Sequence, residues 1–413
     1  MTIRRVAITG IGIVSPLGNT PDEFFSGLMA GKSGIRRLRA DFVDRLDTKI
    51  AAQAEFDPLL HFSKHQATSL YRVSQFALYA ASQAIADARL DMSLQDKSRM
   101  GIYLGTGMGG AASVEEGYIR LYRDGAERLK PFTVLMAMNN AAASAIGLEY
   151  GLTGSNLTFS TACSSSSVSI GEAFQQVRHG YADVMLAGGA EALLTFGTMK
   201  AWEALRALAA EDPNDPGASC KPFAADRTGL VLGEGAAIMV LEDMAHAIAR
   251  GASIHAELTG YGSGNDSSHI TQPSPEGQAA AMRSALNCAG LKPEDIGYIN
   301  AHGTATPLND PAETAAIKLV FGEHASRIPV SSTKSMHGHL MGATAAVEFV
   351  ACIKALGLGA IPPTINLHKR DPKCDLDYVP NTGRTSVALK HVMSNSFAFG
   401  GTSGVLIASK FRP

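Results

Sequence analysis

The sequence predicts a layered α/β fold made of two similar halves. Three observations support this prediction: the chain opens with a strand that leads into a helix, a block of helix, loop, strand and turn occurs twice, and the composition suits a large buried core. Of the 413 residues, 46% are hydrophobic and 18% are charged. Because a single core rarely grows beyond about 250 to 300 residues, this length suggests two or three domains, and two halves that share one core would also fit.

The first predicted elements are a strand and a helix. Residues 4–15 form an apolar run, and the segment Thr20-Pro21-Asp22-Glu23 follows it. Threonine with glutamate three residues later is the signature of a capping box, and proline suits the first position of a helix. A strand that leads directly into a helix is typical of an α/β fold.

The repeated block occurs about 200 residues apart. In each copy an amphipathic helix leads through a loop into a short apolar strand and a Gly-Thr turn. The loop leucines, Leu90 and Leu291, are 201 positions apart, and the turn glycines, Gly105 and Gly303, are 198 positions apart. This period is too long for a solenoid and indicates two related halves.

The halves are predicted to cover residues 1–250 and 251–413. The join lies after a predicted strand at residues 237–241. Since predicted helices alternate with strands, most strands are expected to be parallel.

Charge and composition also predict which partners are absent. The formal net charge is −2, so no overall charge attracts the chain to nucleic acid. No stretch approaches about 18 uninterrupted apolar residues, so no membrane insertion is expected. The five cysteines are scattered and lack the spacing of metal ligands, which favours a reducing, cytoplasmic setting without a metal site.

Residues 105–110 match the glycine pattern of a dinucleotide-binding loop. That fingerprint also needs an acidic residue about 20 positions later, at the end of a second strand. Asp124 and Glu127 lie instead in a polar stretch. We therefore interpret these glycines as sites of close backbone packing and expect no cofactor.

Cys163 is the candidate nucleophile. Residues 155–160 are predicted to form a strand, and helical periodicity begins just after the cysteine. At a helix N-terminus, partial positive charge and free N–H groups favour the thiolate and can stabilise an oxyanion.

Two histidines and a lysine lie on comparable turns. His302 follows a predicted strand, where α/β folds place reactive groups. Lys334 and His339 lie in a second glycine-containing turn, again after a predicted strand. A cysteine at a helix terminus together with these residues predicts one catalytic site.

The motifs resemble those of the β-ketoacyl-acyl-carrier-protein synthases. Five of them occur in the family's order, and the resemblance covers essentially the whole chain. They are Ser160-Thr161-Ala162-Cys163-Ser164-Ser165, residues 226–235 (DRTGLVLGEG), Ala301-His302-Gly303-Thr304, residues 333–339 (TKSMHGH) and residues 395–402 (NSFAFGGT). The resemblance implies the thiolase-like fold, in which two similar halves form an α-β-α-β-α sandwich.

The resemblance also implies an acyltransferase that performs a decarboxylating Claisen condensation. Cys163 would take an acyl chain from a carrier-protein thioester, with the N–H groups of Cys163 and Phe399 as the oxyanion hole. His302 and His339 would bind the malonyl thioester and stabilise the enolate left after loss of carbon dioxide. Lys334 would be a structural lysine paired with Glu348.

Further positions match residues that contact the substrate or its carrier. Thr304 and Thr306 would hold the phosphopantetheine arm, Phe399 would gate the site, and Phe397 is a further candidate substrate contact. Arg206, with Lys200 earlier on the same predicted helix, would meet an acidic carrier protein. Met108 would form the floor of the acyl pocket. The partners implied are acyl carrier proteins and a second copy of the chain.

Several alternatives stay open at this stage. His337, Ala398 and Ser403 depart from the family's usual threonine, glycine and asparagine. A thiolase is disfavoured because no cysteine follows Cys374, and a catalytically silent chain-length-factor-like subunit is disfavoured because Cys163 and both histidines are present. Fatty-acid elongation is the leading role, and a polyketide or aryl-polyene ketosynthase is the alternative. Acyl chain length, the particular carrier, a role for His337 and a heterodimer are not decided.

Overall fold

The computed structural model describes residues 3–412. Within this range the chain forms twelve β-strands: β1 Val6–Val14, β2 Ile35–Arg37, β3 Ile50–Ala52, β4 Met100–Gly105, β5 Asn156–Phe159, β6 Val184–Glu191, β7 Gly235–Asp243, β8 Ala256–Asn265, β9 Tyr298–Asn300, β10 Val330–Ser331, β11 His391–Phe397 and β12 Thr402–Ser409.

Within the same range of residues 3–412, thirteen α-helices lie between these strands. They are α1 Pro21–Met29, α2 Lys64–Ser69, α3 Arg72–Asp87, α4 Ala111–Tyr118, α5 Thr133–Ala137, α6 Ala141–Tyr150, α7 Ser165–Arg178, α8 Phe196–Leu205, α9 Met244–Ala249, α10 Pro275–Ala289, α11 Asn309–Phe321, α12 Lys334–His337 and α13 Thr344–Leu358.

The large sheet shows the internal repeat directly. Its order is β10-β9-β11-β12-β8-β1-β7-β6-β4-β5, and β2 and β3 form a separate ribbon. Each half places its own strands in the order third, second, fourth, fifth, first. The halves meet where β1 pairs with β8 through residues Val6 to Ile8.

The prediction of mostly parallel strands is wrong, because four of the nine pairings in the described large sheet are parallel and five are antiparallel. Among the described residues, β4 pairs in parallel with β5 and β6, and β9 pairs in parallel with β10 and β11. The other pairings within each half are antiparallel. β11 and β12 are joined by a tight turn without a helix, and such a turn forces antiparallel pairing.

Helices cover and separate the two sheet halves. α3 packs on the first half and α10 on the second, while α7 and α13 contact strands of both halves. This gives the α-β-α-β-α layers that the resemblance implies. The segment Met341–Leu358 is long and apolar enough to cross a membrane by length and composition, but 83% of it is buried, because α13 is a central helix of this core.

The predicted start of the first helix is confirmed. The Thr20 side chain accepts a hydrogen bond from the Glu23 N–H at 3.2 Å, and Pro21 is the first helical residue. The layers bring the C-terminal ends of β5, β9 and β10 toward the same part of the molecule, where the predicted site residues follow in the chain.

Candidate active site

Cys163 lies between a strand and a central helix. β5 ends at Phe159, a 3₁₀ turn covers Ala162 to Ser164, and α7 begins at Ser165. Ala162 adopts a φ of +50°, a left-handed conformation that is strained for a residue with a side chain. This turn holds the Cys163 thiol against the cavity at the start of the helix, as predicted.

Burial opposes the predicted thiolate. The Cys163 residue is only 4% exposed, and this burial raises the pKa of its thiol to about 11. The positive charge of Lys334 and the N–H groups of Phe399 and Cys163 act in the opposite direction but are outweighed. Cys163 is therefore a thiol at neutral pH in the free protein.

The same two N–H groups lie near the Cys163 sulfur, where the oxyanion site is predicted. The backbone N–H of Phe399 and that of Cys163 both interact with the Cys163 sulfur. Donors near the sulfur are also near the carbonyl group that becomes bonded to it. The geometry therefore suits a tetrahedral oxyanion at an acylated Cys163.

His302 is held through its backbone. The N–H groups of His302 and Gly303 donate to the two carboxylate oxygens of Glu313, each at 2.8 Å. The imidazole is buried, and burial lowers its pKa well below the usual value, with Lys334 and His339 lowering it further. His302 is therefore neutral at pH 7.

His339 is oriented by the turn that follows it. Its Nδ1 accepts a hydrogen bond from the Met341 N–H at 2.9 Å, and the Thr344 hydroxyl lies 3.0 Å from the same nitrogen. An accepting Nδ1 assigns the proton to Nε2, which has no hydrogen-bond partner among residues 3–412. Burial, followed by Lys334 and His337, holds the pKa of His339 well below its usual value.

The three side chains converge on one point. The His302 and His339 rings are 5.7 Å apart and perpendicular, and the ligand atoms of Cys163, His302 and His339 all lie within 4.8 Å of one another. Such a cluster could attract a metal ion, but a protonated Nε2 on His339 cannot ligate one. The arrangement favours hydrogen-bond donation to an oxygen of a substrate.

Lys334 supplies the fixed charge beneath this cluster. It is buried, and its Nζ lies 2.5 Å from Glu348 Oε1, which confirms the pairing expected from the sequence. Burial raises the pKa of Glu348 to about 7 despite the neighbouring ammonium group. Because Lys334 already binds Glu348, its geometry suits a structural and electrostatic role.

A cavity of about 290 Å³ leads to the three residues. Its walls include most of the predicted substrate contacts, namely Arg206, Thr304, Thr306, Phe397 and Phe399. The Thr304 and Thr306 hydroxyls lie 2.9 Å apart, and the Phe397 ring stands edge-on to His302 at 6.0 Å.

The loop between β11 and β12 closes one side of this cavity. The Ala398 N–H donates to Thr402 O at 2.9 Å, and Gly400 and Gly401 have φ of +83° and +85°, a region that favours glycine. Phe399 stacks on Trp202 with ring centroids 6.0 Å apart. An aromatic side chain on a glycine turn suits the predicted gate.

Met108, the predicted floor of the acyl pocket, does not line the cavity that reaches Cys163 in the single chain. Its side chain is 47% exposed in the single chain. Glu191 accepts hydrogen bonds from the N–H groups of Gly107 and Met108, so this turn directs its backbone inward. One chain alone therefore does not use Met108 to close the cavity.

The glycine pattern at residues 105–110 is explained by packing. A Cβ at Gly105 would lie 2.3 Å from the Ser165 backbone, and one at Gly110 would lie 2.3 Å from the carbonyl of Met136. These contacts agree with the interpretation that the pattern serves close packing.

The expected basic pair is only partly formed, because α8 ends at Leu205 and Arg206 follows it in a left-handed conformation with φ of +56°. Arg206 lies at the cavity wall and is exposed. Lys200 instead forms ion pairs with Glu203 at 2.5 Å and Asp47 at 3.2 Å. Arg206 is thus the more available of the two charges.

Several polar residues of the site were missed from the sequence. Glu191 and Glu313 are buried carboxylates that anchor turns, and Gln278 and Asn309 line the cavity. The four-residue spacing of Asn309 and Glu313 on α11, directly after the His302 motif, is a signal that could have found those two. Gln278 lies far from any motif, so only the folded chain reveals it.

Comparison with known proteins agrees with this geometry. Residues 3–247 match the family model described as Beta-ketoacyl synthase, N-terminal domain, and residues 255–368 match Beta-ketoacyl synthase, C-terminal domain. The chain belongs to the β-ketoacyl synthase family. It is a condensing enzyme of the acyltransferase class.

Relatives of this synthase match over nearly the full length. It is 41% identical to 3-oxoacyl-[acyl-carrier-protein] synthase 2 of Coxiella burnetii, with 99% of each chain covered. It is 44% identical to Nodulation protein E of Rhizobium leguminosarum bv. trifolii, with 98% of each chain covered.

Solved structures show the same fold. A β-ketoacyl synthase from Burkholderia phymatum has a TM-score of 0.91 and 37% identity, covering 99% of this chain and 100% of the other. A type II PKS ketosynthase, solved with its acyl-carrier protein and bound to the hexaketide, has a TM-score of 0.90 and 35% identity, with both chains fully covered.

Proposed function

We propose that this synthase joins an acyl group on Cys163 to a malonyl group on an acyl carrier protein, with loss of carbon dioxide. The observation that carries this proposal is the convergence of Cys163, His302 and His339 within 4.8 Å at the end of one cavity. A nucleophile beside two neutral histidines suits an acyl transfer followed by formation of an enolate.

In the first half-reaction, the Cys163 sulfur attacks the carbonyl carbon of an acyl thioester. The backbone N–H groups of Cys163 and Phe399 stabilise the oxyanion. The carbon–sulfur bond to the carrier arm then breaks, and the arm leaves as a thiol with the proton that Cys163 loses. Because burial raises the pKa of Cys163, the thiol predominates before acylation and its proton is lost in the course of this half-reaction.

In the second half-reaction, His302 and His339 bind the thioester carbonyl of the malonyl group. Loss of carbon dioxide leaves its electron pair on the thioester as an enolate, and the two neutral imidazoles stabilise the oxygen by donating hydrogen bonds. The enolate carbon attacks the acyl–Cys163 carbonyl, a carbon–carbon bond forms, and the Cys163 sulfur leaves as a thiolate that takes up a proton.

The carrier arm occupies the cavity between these residues and the surface. Thr304 and Thr306 hold the arm through their hydroxyls, and Phe397 and Phe399 form its apolar wall. Arg206 meets the acidic carrier at the exposed end. We propose fatty-acid elongation in the cytoplasm as the role of this reaction.

Polyketide synthesis is the second candidate role. It is supported by the 0.90 TM-score to the type II PKS ketosynthase bound to the hexaketide. The two roles use the same half-reactions and differ in the acyl chains and carriers accepted.

We further propose that two copies of the chain form a homodimer through β5. β5 pairs only with β4 among the described strands, so its other edge is free, and its Leu157 is half exposed. α6 packs on β5 and contacts α5, which contacts α4. α4 and the segment 132–138 around α5 expose further apolar side chains, namely Tyr118, Phe132, Val134, Leu135 and Met138. A second copy would bury this apolar surface and extend the sheet. Met108 lies on a turn that packs against residues 136–139, which belong to this apolar surface. In the proposed dimer, Met108 meets the acyl chain at the interface with the partner copy.

The proposed activity is tested with acyl and malonyl carrier proteins and the purified enzyme. Mass spectrometry should detect a β-ketoacyl carrier protein two carbons longer than the acyl substrate. Cys163→Ala should abolish this product while the protein keeps its melting temperature. If the parent forms no such product from any acyl length with either fatty-acid or polyketide carriers, the proposed function is wrong.

A further inference from the structure

Gln278 is a buried side chain of the cavity wall that the reaction steps above do not use. It lies in the first turns of α10, is 2% exposed and lines the cavity that reaches Cys163. Its Nε2 donates to Asn309 Oδ1 at 3.4 Å. Its Oε1 has no hydrogen-bond partner among residues 3–412. A buried acceptor without a partner costs free energy, so it needs an explanation.

The orientation of the Gln278 amide is set by its neighbours. Asn309 Nδ2 donates to Asp310 Oδ1 at 3.3 Å and to Glu313 Oε2 at 3.5 Å. Because both partners are carboxylate oxygens, Asn309 cannot turn its amide around, and its Oδ1 must face Gln278. Gln278 then has to present Nε2 to Asn309, which leaves Oε1 as the free acceptor.

Gln278 lies at one end of a chain of polar contacts that begins at Thr304. The Thr304 hydroxyl lies 2.9 Å from that of Thr306, and the Thr306 hydroxyl accepts from the Asn309 N–H at 3.2 Å. The next contact joins Asn309 to Gln278. Thr304 is two residues from His302, so the Thr304 end of this chain of contacts lies next to the catalytic histidine in the sequence, and all four residues line the same cavity.

The backbone beneath Gln278 is held in place. Its N–H donates to Ser274 O at 3.1 Å, and the Ser274 N–H donates to Asp266 Oδ2 at 3.1 Å. The Ser274 hydroxyl caps the helix by accepting from the Gly277 N–H at 3.2 Å. Oε1 is thus an acceptor on a rigid element, which suits recognition of a fixed donor.

We propose that Gln278 Oε1 accepts a hydrogen bond from the second amide N–H of the substrate's pantetheine arm, counted from the sulfur. This rests on the proposed function. A pantetheine thioester carries two secondary amides, and an amide N–H is the neutral donor that matches a neutral carbonyl acceptor. Gln278 is therefore a positioning residue that recognises the arm and takes no part in bond making.

The test compares thioesters of one acyl group on different arms. The rate of Cys163 acylation is measured by intact mass for the N-acetylcysteamine thioester, which has only the first amide, and for the pantetheine thioester, which has both. A third substrate replaces the second amide N–H of pantetheine by an ester oxygen. In the parent enzyme, this replacement should raise the apparent KM roughly threefold to tenfold, the effect of one net hydrogen bond, and leave the maximal rate unchanged.

Gln278→Met removes both polar atoms at similar length. The apparent KM of this variant for the pantetheine thioester should be raised by the same factor. The ester analogue should raise its KM no further, and its KM for the N-acetylcysteamine thioester should equal that of the parent. Gln75→Met is the matched control, because Gln75 is a buried glutamine of α3 whose Nε2 binds Ala67 O and Leu70 O away from the cavity.

Three results would overturn the inference. The first is a parent enzyme with the same KM for the ester analogue as for the pantetheine thioester. The second is a Gln278→Met variant whose KM rises equally for all thioesters. The third is a rise in the KM of that variant already with the N-acetylcysteamine thioester. The ester analogue needs only the parent enzyme, so the test does not depend on the variant folding. Absence of Cys163 acylation in the parent with every thioester is a different result, which would overturn the proposed function as well.

Discussion

At the scale of single residues, burial controls the protonation of the reacting groups. It raises the pKa of Cys163 to about 11 and lowers the pKa values of His302 and His339. A helix N-terminus alone would favour the thiolate, which is why the sequence predicted one. The opposing burial comes from segments distant in the chain, including the loop at Phe399, so the local motif does not reveal it.

The raised pKa of Cys163 makes a testable prediction about pH. Only the thiolate reacts with iodoacetamide, and below the pKa its fraction rises about tenfold per pH unit. The rate of Cys163 alkylation should therefore climb steadily from pH 7 to pH 9. Mass mapping at each pH would measure it, with the half-buried Cys288 beside Arg178 as an internal comparison. A plateau below pH 8 would show that the thiolate is stabilised in the free enzyme.

At the scale of elements, the strands and helices bring together residues that follow strand ends. Cys163, His302 and His339 could be predicted because each follows an apolar strand in a distinctive turn. Glu313 and Gln278 could not be assigned roles, because their partners come from other elements. The antiparallel pairing of β11 with β12 was missed because the tight turn at Gly400 and Gly401 was interpreted only as a gate.

The gating loop carries an intrinsic reporter. Trp202 is the single tryptophan of the chain, and it stacks on Phe399. If Phe399 moves when Cys163 is acylated, the tryptophan emission should change in intensity or wavelength at the rate of acylation, as stopped-flow fluorescence would show. Phe399→Ala should remove most of this change. An identical change in Phe399→Ala would mean that the signal does not report the gate.

The α8 surface makes a prediction about carrier docking. Arg206 is exposed at the cavity, whereas Lys200 is occupied by Glu203 and Asp47. Arg206→Glu should raise the Michaelis constant for a carrier-bound substrate, more strongly at low salt, and leave turnover of a pantetheine thioester nearly unchanged. Lys200→Glu is the matched control and should have the smaller effect. Equal losses on carrier and pantetheine substrates in Arg206→Glu would indicate that this residue supports the fold.

At the scale of the whole molecule, the sequence predicted two similar halves in layers because the block around the Gly-Thr turns is repeated. The identical strand order in the two halves agrees with that prediction. The acyl pocket could not be located in the same way, because Met108 lies at the surface of the single chain.

The free edge of β5 predicts the assembly. Analytical ultracentrifugation should give a particle of twice the 43.3 kDa chain mass. Leu157→Arg places a charge on β5, where Leu157 is 49% exposed, and should shift the protein toward monomer. Leu94→Arg alters another exposed leucine, in a loop, and should leave the dimer intact. A dimer unchanged by Leu157→Arg would place the interface elsewhere.

The central claim is that Cys163 carries the acyl group while His302 and His339 act on the malonyl group. The most direct measurement follows both half-reactions in His302→Ala and His339→Ala, by intact mass for acyl–Cys163 and by release of carbon dioxide from malonyl carrier protein. Each variant should still acylate Cys163 but release carbon dioxide roughly 10² to 10³ times more slowly, as expected for loss of a donor to a developing oxyanion. Release of carbon dioxide at the parent rate in both variants would contradict the account.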